Sequence, residues 1–343
     1  MSAIPPSERA RAIAGRVRSI LQGGAGALTF AASEETGHLR YFSAQAYGDI
    51  SAGLRAPFRW LPFDDYLRGE ARILIVTGHG ADQSGPLREL RGNEHPDTVL
   101  AVWLWDNHIS NVNNRRTALA ADIVFPSHAY HSSYLANPLS ILGAHVPACS
   151  AQWSRTEAAR LFHGHGSGPR SDRLLVNYVD YEFSPRSALL RRLAADMPEA
   201  DVMLMSADRR ERYFAKSPAD RFREWAAYKA TVILPVEQDL STRVFDALLA
   251  GLVPIVPRTI PDFDLVVPPA IQESLGVIRI DAPSLESIRD AAKLAVRRFD
   301  ELGPEGAAAR HEYALRDHLL DNRVLAMAEA VRQLARDRAA GPP

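Results

Sequence analysis

The stretch "STRVFDALLAGLVPIVP", residues 241–257, carries the most informative pattern in the chain. Ser241 stands just before a helical pattern, where an N-cap residue accepts a hydrogen bond from a free backbone amide. Gly251 follows the last helical residue, where a left-handed glycine ends many helices. The apolar segment 252–256 comes next and predicts a buried strand. Together with the apolar segment 230–236 before it, the stretch predicts a strand, a loop, a helix and a second strand.

Short apolar runs recur along the whole chain and alternate with helical patterns. The runs are apolar throughout rather than at every second residue, which is typical of parallel strands covered on both faces. Helical spacing lies between several of them, as in residues 184–197 and 284–299. Strands that alternate with helices predict parallel α/β units. The predicted strands are 28–33, 72–78, 98–105, 121–127, 173–179, 201–206, 230–236, 252–257 and 277–280.

The predicted strands divide into two groups. Segment 163–172, HGHGSGPRSD, is rich in glycine, serine and charge and has no apolar period, which favours a linker. We therefore predict an α/β protein of two similar halves, with a first domain over residues 1–160, a linker over 161–172 and a second domain over 173–325. The last segment, 326–343, has a helical pattern and an end that we expect to fray.

Composition and charge narrow the class of protein. The 343 residues are enough for two domains, each with its own core. The formal net charge of -1 gives no general attraction to nucleic acid or to an anionic surface. Cys149 is the single cysteine, so no internal disulfide can form. The first residues lack the apolar core of a signal peptide, and no apolar run reaches the roughly 18 residues of a membrane span. We expect a soluble, cytoplasmic protein that does not bind nucleic acid.

The helix that starts after Ser241 has the features of an anion site at the carboxyl edge of a sheet, where open α/β sheets bind ligands. Its first turn offers free amide groups, and the Arg243 guanidinium offers a fork of donors that suits phosphate oxygens. Asp246, about one turn later, can accept hydrogen bonds from a ribose. The residues alone leave a second interpretation open, in which Arg243 and Asp246 form a weak ion pair on a solvated helix face.

The same stretch resembles the donor-binding signature of GT-B glycosyltransferases, in which an acidic loop leads into a helix of the form R-x-F-E/D-A-L-x-x-G and then a P-I-V strand. Ser241 makes it especially similar to the exostosin-like and spore-coat-like branches. The usual Glu, seven residues, Glu pattern is altered, because Asp246 replaces the second Glu and Gln238 stands eight residues before it. The matching residues are Arg243, Phe245, Asp246, Ala247, Leu248, Gly251, Pro254, Ile255 and Val256.

The resemblance implies the GT-B fold, in which two Rossmann-like parallel-sheet domains face a cleft and the C-terminal helix (326–343) crosses back to the first domain. It implies that the first domain takes the acceptor and that the second takes the donor, a nucleotide-diphosphate sugar. No cofactor and no metal are expected. The residues expected to bind the donor are Asn177, Glu237, Asp239, Ser241, Thr242, Arg243 and Asp246.

A second candidate site follows the third predicted strand, where Asp106, Asn107 and His108 come directly after the apolar run. A histidine can take a proton from an acceptor hydroxyl near neutral pH, and a neighbouring carboxylate can orient it. We therefore predict Asp106 and His108 as catalytic residues. The alternative is a loop histidine beside an aspartate that caps the next turn. Trp103 and Trp105 in the strand are expected to pack in the core.

Two histidines in the predicted linker, His163 and His165, form the simplest candidate for a metal pair. Zinc sites usually need three or four protein ligands, and no cysteine or acidic residue accompanies these histidines at ligand spacing. We therefore predict no metal site in the linker.

The sequence predicts a glycosyltransferase of the hexosyltransferase type. It would transfer a sugar from a nucleotide-diphosphate donor to a hydroxyl of a glycan, a lipid-linked molecule or a protein, in polysaccharide or other cell-surface glycan synthesis. Two alternatives stay open: a nucleotide-sugar epimerase of similar two-domain build, and a non-catalytic binding or scaffold protein that kept the fold.

The N-terminal helical pattern, residues 7–22, carries Ile13, Val17, Ile20 and Leu21 on one side. Such a helix can dock on its own domain through this apolar side. It can also associate weakly with a membrane surface, here the inner membrane face, where a lipid-linked acceptor would lie. Docking on the domain is the interpretation that we favour.

Overall fold

The fold is taken from a computed structural model. It describes residues 6–23, 28–32, 44–54, 73–78, 85, 87–88, 98–106, 110–150, 152–181, 184–206, 213 and 215–337. The strands, in chain order, are β1 (Leu28–Ala32), β2 (Ile73–Gly78), β3 (Val99–Leu104), β4 (Ile123–Pro126), β5 (Ile141–Leu142), β6 (Ser171–Val179), β7 (Ala200–Met205), β8 (Tyr228–Val232), β9 (Val253–Pro257) and β10 (Ile278–Ile280).

Helices separate most of these strands, as the sequence predicts. In chain order they are α1 (Pro6–Gln22), α2 (Ala44–Leu54), α3 (Asn111–Ala120), α4 (Ser132–Leu135), α5 (Arg155–His165), α6 (Pro185–Asp196), α7 (Pro218–Ala226), α8 (Arg243–Leu249), α9 (Phe263–Val266), α10 (Pro269–Ser274), α11 (Leu285–Asp317) and α12 (Leu320–Asp337).

The chain divides into two compact units, and the division differs from the predicted one. Unit 1 contains Met1–Ala148 and Leu320–Pro343, and unit 2 contains Cys149–Leu319. The predicted linker belongs in part to helix α5, because a capping box starts that helix upstream. The Ser154 side chain accepts from the Glu157 amide, and the Glu157 carboxylate accepts from the Ser154 amide. The glycine-rich composition therefore marks the end of a helix rather than a domain boundary.

Unit 1 holds a parallel sheet with the described strands in the order β1-β2-β3-β4-β5. The middle strand, β3, is buried along its whole length, which agrees with its continuous apolar run. Trp103 and Trp105 pack in the core in an edge-to-face arrangement, with ring centroids 4.7 Å apart. The Trp103 indole donates a hydrogen bond to the Val146 carbonyl at 2.7 Å. The prediction that both tryptophans pack in the core is confirmed.

Helix α1 uses its apolar side within unit 1. Ile13, Val17 and Ile20 are buried, Leu21 is half-buried, and α1 packs against α12. Arg16 of the same helix donates to the buried Asp122 carboxylate at 2.7 Å. The structure therefore has α1 docked on its own domain, which is the interpretation that we favoured. The apolar side of the helix is not available to a membrane surface. Among the residues described, no helix combines the length and the apolar character needed to cross a membrane.

Unit 2 holds a second parallel sheet, with the described strands in the order β10-β9-β8-β6-β7. One core cluster covers one face and contains residues of α5, α7 and α8, such as Leu161, Trp225 and Phe245. Another cluster covers the opposite face and contains residues of α6 and α11, such as Leu190 and Ile288. The predicted class, α/β with two parallel sheets, is confirmed for both units.

Helix α8 ends as its sequence predicts. Gly251 has a φ of 79°, in the left-handed region that favours glycine. Its amide donates to the Leu248 carbonyl at 3.0 Å, and the Leu252 amide donates to the Ala247 carbonyl at 2.9 Å. These two bonds form a Schellman motif, which satisfies carbonyls at the helix end and turns the chain into β9.

We predict that Gly251→Ala lowers the free energy of unfolding by about 1–3 kcal/mol, because left-handed backbone is strained for residues other than glycine. The added methyl group would also lie 3.0 Å from the Phe162 ring and 3.2 Å from the Ala307 carbonyl oxygen. The measurement is urea unfolding. The control is Gly164→Ala, a helical position in the same unit with no heavy atom within 4 Å of the new methyl group. It should be neutral or stabilising by up to about 1 kcal/mol, and an equal loss in both variants would contradict the prediction.

Candidate functional site

The second sheet contains a topological switch point. If the strands of unit 2 are counted from β6, their order is 2-1-3-4-5, and in sheets of this order the connections leave in opposite directions from the first and third strands. The ladder between β6 and β8 ends at Leu175 and Thr231. Strand β6 nevertheless stays paired with β7 as far as Val179 and Met205. The carboxyl ends of β6 and β8 therefore separate, and this gap is where such sheets bind ligands.

Side chains replace the ladder where the two strands separate. The Thr231 hydroxyl donates to the Leu175 carbonyl at 2.8 Å. The Tyr178 hydroxyl donates to the Val232 carbonyl at 2.8 Å and accepts from the Leu234 amide at 2.7 Å. Buried main-chain groups need such partners, because an unpaired one costs free energy comparable to a lost hydrogen bond. The gap is therefore a place where the main chain depends on particular side chains.

Arg243, the first residue of α8, lies beside this gap. Its Nε donates to the Asn177 carbonyl at 2.7 Å, and its guanidinium carbon lies 4.5 Å from the centroid of the Tyr178 ring. Neither of its two terminal nitrogens bonds a residue in the part of the chain that the structure describes. The half-buried guanidinium therefore keeps donors that a ligand can accept from, and its role in phosphate binding stays a prediction.

A second arginine, Arg186, lies on the same tyrosine and was missed by sequence reasoning. Its guanidinium carbon is 4.9 Å from the Tyr178 ring centroid. Its terminal nitrogens donate to the carbonyls of Leu234 and Val179 at 3.1 and 3.0 Å. Burial lowers the pKa of Arg186, and the charge of Arg243 acts in the same direction. Within the described residues, neither arginine forms an ion pair with a carboxylate.

The acidic loop leads from β8 to α8. Glu237 is exposed and has a φ of 56°, which is uncommon for a residue other than glycine. Asp239 is partly buried and lies close enough to Arg186 for its charge to act on the pKa of that arginine. Glu237 and Asp239 thus lie in the segment next to the two arginines, and their contacts to a donor stay a prediction.

The start of α8 differs from the predicted cap. Thr242 rather than Ser241 occupies the N-cap position, and its side chain makes no capping hydrogen bond. The buried Ser241 hydroxyl accepts from the Arg243 amide at a long 3.4 Å. Packing holds the helix instead, because residues 244–249 are all buried. Short helices in proteins depend more on such packing than on local signals.

Asn177 also lies at the gap. The residue is 3% exposed, and its Oδ1 atom is buried without a hydrogen-bond partner among the described residues. Buried amide oxygens usually have a partner, so an unpaired one at a ligand-binding edge is a candidate acceptor for a donor group of a ligand. Its contact with the donor stays a prediction.

The surroundings of Asp246 differ from both interpretations of the sequence, which were a hydrogen bond from a ribose and an exposed ion pair with Arg243. The carboxylate is buried, and it accepts hydrogen bonds from the Ser150 hydroxyl at 2.6 Å and from the Gln152 amide at 2.7 Å. It is therefore not part of a solvated ion pair with Arg243, and both its oxygens are engaged within unit 2. Burial raises the pKa of Asp246 to about 6, although the bonds from Ser150 and Gln152 act to lower it.

The segment that Asp246 holds is where the chain enters unit 2. The Ser150 amide donates to the His318 carbonyl at 3.0 Å, and Ser150 forms a parallel bridge with Leu319. The His318 ring stacks on Phe245 of α8, with ring centroids 4.6 Å apart. Entry and exit of the chain are thus side by side, and neighbouring residues of α8 contact both.

The second predicted site is described in part. Asp106 follows β3 with a φ of 49°, and its carbonyl accepts from the Ser110 amide, directly before α3, at 2.9 Å. Asn107 and His108 lie outside the described residues, so the catalytic pair stays a prediction. At the end of neighbouring β4, the Ser127 hydroxyl lies 2.9 Å from Nδ1 of the buried His128. This pair was not predicted, because nothing in a short Ser-His dipeptide distinguishes a buried pair from a loop.

The described residues contain no group of three or more His, Cys, Asp or Glu side chains arranged to hold a metal ion. His163 and His165 lie in the last turn of helix α5.

No family model matches the chain, and no curated protein matches it in sequence. Solved structures match it over most of its length. An α-glucosyltransferase in complex with UDP and a 13-mer DNA containing a central A:G mismatch aligns with a TM-score of 0.60 and 9% identity, over 89% of this chain and 99% of that one. The chain has the GT-B fold.

Two further structures agree with this assignment. The α-glucosyltransferase in complex with UDP aligns with a TM-score of 0.58 and 9% identity, over 89% of this chain and 99% of that one. The sucrose-phosphate synthase from Thermosynechococcus elongatus aligns with a TM-score of 0.56 and 10% identity, over 90% of this chain and 99% of that one. At such low identity the likeness concerns the fold, so function has to be argued from the site itself.

We predict that Asp246→Asn changes how the stability of the protein depends on pH. The pKa of Asp246 is about 6 in the folded state against 3.8 for an ordinary aspartate. A raised folded-state pKa gives stability that is complete below the lower value and is lost as pH rises through the higher one. Wild type should therefore lose on the order of 3 kcal/mol relative to Asp246→Asn as pH rises from about 4 to 7.

The measurement is urea unfolding of both proteins at several pH values. Asp264→Asn serves as the control, because hydrogen bonds from Gln272 and Arg279 lower the pKa of Asp264. The wild type should lose stability relative to this control as pH falls, which is the opposite sign. Parallel pH curves for wild type and Asp246→Asn would contradict the prediction.

Proposed function

We propose that the protein transfers a sugar from a nucleotide-diphosphate donor to an acceptor hydroxyl. The observation that carries this proposal is the pair of guanidiniums at the switch point of the second sheet. Arg243 keeps two terminal nitrogens for a ligand, and Arg186 adds a second positive charge beside the same tyrosine. Two arginines without a carboxylate partner in the described residues fit a ligand with two neighbouring anionic groups, as in a diphosphate.

The same geometry fits the chemistry of sugar transfer. When the bond between the sugar and the diphosphate breaks, negative charge grows on the leaving phosphate. Fixed positive groups aimed at that charge stabilise the transition state more than the ground state. Arg243 would bind the leaving group directly and Arg186 would act through its charge, so the proposed reaction needs no metal ion. The unpaired Asn177 oxygen would accept a hydrogen bond from a hydroxyl or an N–H group of the donor.

The acceptor side of the proposal rests on unit 1. Asp106 and His108 would remove or stabilise the proton of the acceptor hydroxyl, and the acceptor would be a glycan, a lipid-linked molecule or a protein in polysaccharide synthesis. An α-glucosyltransferase of this fold was solved with UDP, which makes UDP the first nucleotide to test.

We expect Arg243→Ala to weaken binding of the nucleoside diphosphate by about 10- to 100-fold. A charge-assisted hydrogen bond contributes about 1.5–3 kcal/mol, and the lost partner would be a phosphate oxygen. Binding of the corresponding nucleoside should stay unchanged. Isothermal titration with UDP and uridine, and with GDP, ADP and dTDP and their nucleosides, measures both quantities.

Arg258→Ala is the matched control for charge. Arg258 lies just past the carboxyl end of β9, is exposed, and pairs with Asp281 at 3.3 Å. Its loss removes the same charge from the same edge of the sheet, away from the gap. Equal affinities of wild type and Arg243→Ala for every diphosphate would remove Arg243 from the site, and a similar loss in Arg258→Ala would reduce its role to general electrostatics.

We expect His108→Ala to lower turnover by about 10²- to 10⁴-fold, as is typical for the loss of a general acid or base. The affinity for the donor should stay close to that of wild type, because the proposed phosphate contacts come from unit 2. The initial rate of transfer and the donor affinity are measured on the same preparation. A variant with full turnover would assign His108 to an ordinary loop position and leave Asp106 as the candidate.

A thermal-shift screen with UDP-, GDP-, ADP-, CMP- and dTDP-sugars tests the proposal as a whole, because a ligand of the native state raises the melting temperature. A glycosyltransferase should release the nucleotide in step with the modified acceptor. Conversion of the donor sugar without any acceptor would favour the epimerase alternative. A chain that binds no nucleotide would favour a scaffold.

A further inference from the structure

Tyr178 lies at the gap and contacts both arginines and the main chain at the end of β8. The side chain is 1% exposed and belongs to the core cluster that covers one face of the second sheet. Both arginines lie on its ring, and its hydroxyl bonds one main-chain group of the last residue of β8 and one of the segment that follows. A core position that only needed filling would be served by an apolar side chain, so the hydroxyl and the aromatic ring need separate explanations.

The hydroxyl explains how the loop is fixed. The Val232 carbonyl and the Leu234 amide lie on either side of Ile233. The Ile233 amide donates a hydrogen bond to β9, but these two neighbouring groups bond the Tyr178 hydroxyl instead. Without Tyr178 these two groups would point into the gap unpaired. A single phenolic hydroxyl satisfies both, because it donates one hydrogen bond and accepts another. Burial raises the pKa of Tyr178, so the proton that it donates is held at physiological pH.

The ring explains how two like charges stay together. The guanidinium carbons of Arg243 and Arg186 lie 4.5 and 4.9 Å from the same ring centroid, and their positive charges repel each other. The face of an aromatic ring is negative and attracts a guanidinium, most strongly where water is excluded. Each guanidinium is also held by a main-chain carbonyl, Asn177 for Arg243 and Leu234 for Arg186. The ring thus holds both groups without neutralising them, as a carboxylate would.

We infer that Tyr178 is a positioning residue for the donor: its ring sets the place of the Arg243 guanidinium, which binds the diphosphate, and of the Arg186 guanidinium, which acts on it through its charge. The inference rests on the proposed function. Part of the contribution that the phosphate groups make to donor binding would then depend on this aromatic core residue. The nucleoside part of the donor should be unaffected by changes at this position.

The test compares Tyr178→Phe with Tyr178→Leu in the full chain. Both variants lose the hydroxyl, so both should lower the melting temperature. Phe keeps the ring and should bind the nucleoside diphosphate within about threefold of wild type, whereas Leu should bind it about tenfold more weakly. The corresponding nucleoside should bind all three proteins equally. The probe is the tightest binder among UDP, GDP, ADP and dTDP, measured by isothermal titration.

Tyr228→Leu is the matched control. Tyr228 lies at the other end of β8, and its hydroxyl donates to the Asp201 carboxylate at 3.0 Å, away from both arginines. Its loss should lower stability and leave the preference for diphosphate over nucleoside intact. If Tyr178 had a purely structural role, Tyr178→Phe and Tyr178→Leu would both weaken binding of the diphosphate in proportion to their loss of stability.

The outcomes distinguish a failure of the positioning role of Tyr178 from a failure of the proposed function. If wild type prefers the diphosphate and Tyr178→Leu keeps that preference, the positioning role is wrong and the proposed function stands. Equal weakening in Phe and Leu would also overturn the role of the ring. If wild type shows no preference for a diphosphate over its nucleoside, the proposed function itself fails, and the role of Tyr178 fails with it.

Discussion

The separation of two parallel strands is the constraint on which the second unit depends. Where β6 and β8 separate, their main-chain groups lose the partners that a sheet would give them, and buried groups of this kind must be hydrogen-bonded. Thr231, Tyr178, Arg186 and Arg243 supply those bonds. Of these, Arg243 is proposed to bind the donor and Arg186 to act on it through its charge. Fold and site therefore share residues, and the order of the strands fixes where the positive charge lies.

A second constraint acts on the far side of helix α8. The helix has seven residues and no side-chain cap, so its position follows from burial on nearly all sides. Asp246 costs stability when it is ionised in this environment, yet its carboxylate holds Ser150 and Gln152. The contacts of Asp246 help to hold the helix in place, and with it Arg243, its first residue. Asp246 therefore opposes folding when it is ionised and at the same time orders the segment by which the chain enters unit 2.

Much of the fold could be predicted from the sequence, and the reasons are local. Continuous apolar runs indicate buried parallel strands, and Gly251 marks the end of a helix because few other residues adopt its backbone conformation. The arginine after β8 was also predictable, since its place follows from a strand, a loop and a helix in direct succession. Each of these features depends on residues close together in the chain.

The features that escaped prediction depend on contacts between distant residues. Ser150 and Asp246 are 96 positions apart, so no local pattern joins them. Arg186 resembles any other arginine of an amphipathic helix until the strand order brings it to Tyr178. The observed division between the units also differs from the predicted linker at 161–172. The glycine and serine content of a segment indicates its flexibility, but it does not indicate which core the neighbouring helix packs against. The expected catalytic histidine, His108, lies outside the described residues.

The bridge between Ser150 and Leu319 has a consequence for how the chain is assembled. Unit 2 is one uninterrupted segment, and its first and last residues lie next to each other, whereas unit 1 is built from two separate pieces of sequence. A domain with adjacent ends can be inserted into another chain without stretching the host, and its ends can be joined to open a new terminus elsewhere. Unit 2 is thus inserted in the sequence of unit 1, and it is suited to excision, transplantation and circular permutation.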